Sequence, residues 1–129
     1  MQNYEVGQVW SYKTRESEND SKIIILKIDA DYDETEIIHV CVEDVAIKTP
    51  DSHEKPIDYI SHMPFSREAI DSSVIDIIDR IEVPDFSEGY NVWKEGYTKG
   101  EAGIFSIPVS KAVEYMETTI NEGVGYADS

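Results

Sequence analysis

The chain has 129 residues, 40% of them apolar, and its 27 acidic against 11 basic side chains leave a net charge of −16. That length suits one domain with a real core, and so much apolar and aromatic surface excludes a disordered chain despite the charge. The same charge disfavours nucleic acid and anionic membrane as partners and favours a basic protein.

Val9 to Thr14 is short, aromatic and β-branched and reads as a first strand, followed by a polar loop from Arg15 to Ser21. Lys22 to Ala30 is the clearest strand, with Ile24, Leu26 and Ile28 placed on one face by strict alternation. Glu36 to Ile47 is a third strand, in which Ile38, Val40 and Val42 share a face. The acidic link from Asp29 to Glu34 is short enough to join these two as an antiparallel hairpin. Lys48 to Asp58 is a surface loop, and Tyr59 to Met63 is a short strand stopped by Pro64.

Ser66 is the expected cap of a long amphipathic helix, since Ile70, Val74, Ile77, Ile78 and Ile81 fall at i, i+4, i+7, i+8 and i+11. That stripe leaves Asp71, Asp76 and Asp79 for solvent, and Pro84 ends the helix. A second helix covers Ser87 to Lys99, with Tyr90, Trp93 and Tyr97 on one side. Gly103 to Ile107 reads as a returning strand, and a last helix runs from Pro108 to Asn121 with Val109, Ala112, Val113, Met116 and Ile120 inward. Residues 1–122 thus form a single α+β domain, and 123–129, Tyr126 included, form a flexible tail. The expected architecture is an antiparallel sheet of four to five strands, opening as a meander, with about three helices. Its core should hold Ile24, Leu26, Ile28, Ile38, Val40, Val42, Ile70, Val74, Ile77, Ile78, Val113 and Met116.

The acidic charge is spread evenly. Residues 1–60 carry 14 acids and 6 bases and residues 61–129 carry 13 and 5, so there is no acidic interaction arm. The longest apolar run, Ile23 to Leu26, is too short for a membrane span, and the N-terminus lacks a secretory signal. Cys41 is the only cysteine, which rules out an internal disulfide and fits a cytoplasmic, reducing location.

Motifs for chemistry are missing or incomplete. Asp29, Asp31 and Asp33 match the first ligand positions of a calcium-binding helix–loop–helix, but Glu34 stands where glycine is needed and Val40 where a bidentate glutamate is needed. His39, His53 and His62 lack the spacing of a zinc site, so no metal or other cofactor is expected. His39 and Cys41 share a face, yet nearby carboxylates would raise a thiol pKa, and Cys41 reads as a small buried hydrophobe. The glycines from Gly96 to Gly103 lack the lysine and hydroxyl ending of a phosphate loop. Glu43, Asp44 and Glu54 beside His53 are acid–base candidates with nothing to single them out in so acidic a chain. No catalytic residue is assigned.

The aromatic set is more informative: Trp10, Tyr12, Tyr90, Trp93 and Tyr97 are expected to form a wall between the first strand and the second helix. Such a wall is core by default and a partner-binding surface in the alternative. The opening Val6-Gly7-Gln8-Val9-Trp10-Ser11-Tyr12-Lys13-Thr14-Arg15 resembles the start of short bacterial proteins with no agreed activity, and the stretch from Ala102 to Pro108 resembles them more loosely. The resemblance implies a bacterial cytoplasmic source and no site residue. The functional expectation is an acidic cytosolic module that binds a basic protein, of the inhibitor or immunity type. The alternative is a small enzyme whose site is dispersed along the chain. Neither reading fixes an oligomeric state.

Overall fold

The computed structural model describes residues 3–30, 36–50 and 55–122. Five strands form one antiparallel sheet: β1 (Gln8–Tyr12), β2 (Lys22–Ala30), β3 (Glu36–Ile47), β4 (Ile57–Ser66) and β5 (Val74–Arg80). Their spatial order is β4-β3-β2-β1-β5, so the first four make a meander and the fifth closes on β1. Three helices complete the described fold: α1 (Arg67–Ser73), α2 (Ser87–Thr98) and α3 (Val109–Glu122). The α+β class with its N-terminal meander is as the sequence indicates.

The inner strands of the sheet are covered on both faces, whereas β5 is largely exposed. Trp10, Tyr12, Ile23, Ile25, Ile38, Val40, Val42, Met63 and Phe65 face α1 and α3, which contribute Ala69, Ile70, Val109, Ala112 and Val113. Val9, Ile24, Leu26 and Cys41 face the other way, towards Val83 and Phe86 at the approach to α2. Two buried faces explain why β2 and β3 read as nearly continuous apolar runs instead of clean alternation. Ser66 does cap a helix, accepting a bond from the Ala69 N–H at 3.2 Å. The Ser73 hydroxyl then accepts from the Val109 N–H at 2.9 Å, which locks the start of α3 to the end of α1.

The long helix expected from Ser66 to Ile81 is not there. The helix ends at Ser73, where Val74 turns extended with ψ 152°, and the chain continues as β5. Val74, Ile75, Ile77 and Ile78 are β-branched and lose side-chain freedom in a helix, and β1 offers an unpaired edge to bond with. An apolar spacing compatible with a helix was therefore spent on a strand. Ile77 and Ile78 leave the expected core for the surface, and Val74, Ile28 and Met116 are partly buried against it. The remaining expected core residues are buried.

Three smaller corrections follow from pairing. Ile28 packs on the opposite face from Ile24 and Leu26, because β2 carries a bulge between Ile25 and Lys27. β4 runs through Pro64 to Ser66, as an edge strand allows. The strand expected at Gly103 to Ile107 reduces to one bridge, Phe105 with Phe65. The calcium-like link beyond Ala30, His53, Glu54 and the tail from Gly123 onward lie outside the described residues.

Candidate functional site

Two features stand out, one on each side of the strand order. The first is a polar chain on the α2 side, which a bulge in β2 completes. Ile25 lies opposite Val40 and Lys27 opposite His39, so Leu26 is an extra residue that resets the alternation. Strict alternation would leave Asp29 on the face of Ile23 and Ile25; the bulge turns it to the face of His39 and Cys41. A second bulge in β4, between the pairs Val40–Met63 and Val42–Ile60, sets Ser61 and His62 against Cys41. His62, two residues from the Pro64 that pairs with His39, lies on the same face and reaches it.

His39 is fully buried and bonded at both nitrogens. Its Nε2 lies 3.0 Å from Asp29 Oδ2, and its Nδ1 lies 2.9 Å from His62 Nε2. The two rings are nearly coplanar, at 19°, with centres 5.0 Å apart, which fits an in-plane N–H···N bond better than face-to-face stacking. Tyr90 of α2 donates its hydroxyl to the same Asp29 oxygen at 2.7 Å, and Lys27 Nζ stands 3.6 Å from the other. Tyr90 and Trp93 both meet the His39 ring edge-on, so α2 caps the chain. Gly89 makes this approach possible: a Cβ there would lie 3.2 Å from the His62 Cβ.

Burial and the neighbouring His62 push His39 down to about 4, and burial also lowers His62. Burial opposes ionisation of Asp29, but the bonds from Tyr90 and His39 and the nearby Lys27 ammonium hold its carboxyl below the usual range. At neutral pH the His39–Asp29 contact is therefore a hydrogen bond from a neutral imidazole to a carboxylate, not an ion pair. This assigns the protons. Nε2 of His39 donates to Asp29, so its Nδ1 must accept, and His62 must carry its own proton on Nε2. His62 Nδ1 is left with a lone pair.

His62 lines a depression of about 560 Å³ with Ser61, Asp85, Phe86, Glu88 and Val92. Among the described residues, no group of three or more histidine, cysteine, aspartate or glutamate side chains could hold a metal. Cys41 is buried, which pushes its thiol up, and shares a bond with the Tyr59 hydroxyl. The structure thus presents Cys41 as a packed thiol with a raised pKa.

The second feature is the outer edge of β5. Ile75, Ile77, Ile78 and Ile81 are 52%, 43%, 52% and 39% exposed in and just after the last strand of the sheet. The opposite edge differs, because Phe105 bonds to Pro64 and Ser66 at the end of β4 and covers it there. Asp76, Asp79 and Glu82 lie among the isoleucines, with Arg80 the one base in that stretch.

The aromatic wall does not form as expected. Trp10 and Tyr12 are 3% exposed in the core beneath α1 and α3, whereas Tyr90, Trp93 and Tyr97 lie half-buried across the sheet. Only the last three meet, with Trp93 stacked on Tyr97 at 4.8 Å. Sequence alone groups His39 and His62 with His53, His39 with Cys41, and Asp29 with Asp31 and Asp33, and does not bring Asp29, His39 and His62 together. The available signal was a histidine and an aspartate inside otherwise apolar strands. No protein-family model, curated protein or solved structure matches the chain.

Proposed function

We propose that the protein is a binding module that takes an extended segment of a basic protein onto the outer edge of β5. The observation that carries this reading is the exposure of Ile75, Ile77 and Ile78 in an edge strand, with exposed Ile81 just beyond it. Such edges are ordinarily shortened, covered, bulged or charged, because they recruit other strands; β5 has two bulges against β1 and charges between its isoleucines, yet leaves the isoleucines exposed. Added strands bind by main-chain hydrogen bonds, with alternate side chains supplying selectivity. The aspartates among the isoleucines and the net charge of −16 favour a partner rich in lysine or arginine. The same charge opposes pairing of two copies through this edge.

A fluorescent peptide alternating lysine with valine is the probe, read by anisotropy. The expected result is saturable binding that weakens as salt is added and drops about tenfold, or ~1.4 kcal/mol, in Ile75→Thr/Ile78→Thr. Threonine keeps the strand preference and removes apolar surface, so folding is preserved. Binding indifferent to these substitutions, or a dimer of the free protein that they dissolve, would refute the reading.

A further inference from the structure

The geometry points to a second binding site, apart from the β5 edge: the depression between β4 and the start of α2 receives a guanidinium or ammonium group. His62 Nδ1 and the carboxylates of Asp85 and Glu88 are its acceptors. The inference rests on the protein's being a binder of basic partners and names where one lysine or arginine side chain of such a partner would be held.

The argument starts at Asp29, which fixes His62 from a distance. A carboxylate can only accept, so neutral His39 donates to it through its one N–H and turns an acceptor towards His62; neutral His62 then spends its one proton inward. Its Nδ1 has no hydrogen-bond partner among the described residues, and it is not among the atoms shut off from solvent. In this state Nδ1 presents a lone pair alone, which a cationic N–H donor satisfies and an anion does not.

The remaining lining agrees. Asp85 uses Oδ1 to hold the Ser87 N–H and hydroxyl, at 2.9 and 2.7 Å, which orients the carboxylate and leaves Oδ2 uncommitted among the described residues. Glu88 is exposed one helical residue further on. Phe86 and Val92, the latter 70% exposed, provide apolar walls suited to the methylene stem of a long cationic side chain. A volume of about 560 Å³ leaves room for such a side chain with part of its backbone. The first-turn N–H groups of α2 pull in the opposite direction, towards an anion. Two carboxylates and an enforced lone pair outweigh them.

The test uses the whole protein with acetyl-arginine amide as the cation, acetyl-citrulline amide as its uncharged counterpart and acetate as the anion. Two-bond proton–nitrogen spectra of labelled histidine read the His62 tautomer, and the Gly89 amide reports occupancy in every variant. The expected result is an Nε2-protonated His62 and a saturable, millimolar response to the arginine compound alone. That response should weaken about tenfold in His62→Leu and severalfold in Asp85→Asn. The opposite tautomer would overturn the proposal. So would equal responses to citrulline or acetate, or an affinity unchanged in His62→Leu. None of these outcomes involves β5, so failure here is distinguishable from failure of the edge-binding reading.

Discussion

Lowering the pH from 7 to 5 should cost the fold about 2 kcal/mol through His39 alone. Its imidazole titrates near 4 in the folded protein, against 6.5 for the free group. The folded value is depressed, so the unfolded chain takes up the proton first and gains from it. The stabilisation is complete above about 6.5 and is lost as the pH falls through that value towards 4. At pH 5 the unfolded histidine is almost wholly protonated and the folded one only by about a tenth, which yields ~2 kcal/mol; by pH 4 the loss approaches ~3 kcal/mol. Lowered His62 adds in the same direction, whereas Asp29, Glu18 and Glu117 are also lowered but act only near and below the ordinary carboxylate range. Easing of the −16 charge works the other way, so the comparison that matters is between wild type and His39→Gln. Urea unfolding at several pH values measures the slope, and carbon shifts of His39 in the native protein measure its titration directly. A slope that survives His39→Gln unchanged, or a native His39 that titrates near 6.5, would refute the reasoning.

Glu18→Ala should destabilise by roughly 2–4 kcal/mol in urea unfolding, because Glu18 is 3% exposed and accepts from Arg15 and from the Ala46 N–H at 2.7 Å. The variant leaves that N–H without its acceptor and loosens Arg15, whose other bonds reach Glu117 on α3 and the Ala46 carbonyl. Gly7→Ala should cost more than ~1 kcal/mol in thermal melts, since Gly7 has φ +94° and a Cβ there would lie 2.7 Å from the Ile81 carbonyl oxygen. Tyr90→Phe should lose about 1 kcal/mol and raise the Asp29 pKa, visible in carboxyl carbon titration, by removing the 2.7 Å bond from α2.

The order and kind of the meander strands are legible in the chain's local chemistry. The boundaries of β2 and β3, the cap at Ser66 and the two later helices all rest on local chemistry: β-branched runs, a hydroxyl before a helical turn, and apolar residues at helical spacing. Tertiary structure decided the rest. Val74 to Ile81 satisfies a helical stripe and a strand equally well, and the choice fell to the unpaired edge of β1, a partner some 65 residues earlier in the chain. The aromatic wall was illegible for a related reason: sequence cannot assign a side chain to one face of a strand that is buried on both. The polar chain shows the same limit most sharply. Asp29, His39 and His62 are separated by 10 and 23 residues, and a single extra residue in β2 turns Asp29 from one face to the other. Alternation counted along a strand carries no record of a bulge, because a bulge is fixed by the register of the neighbouring strand.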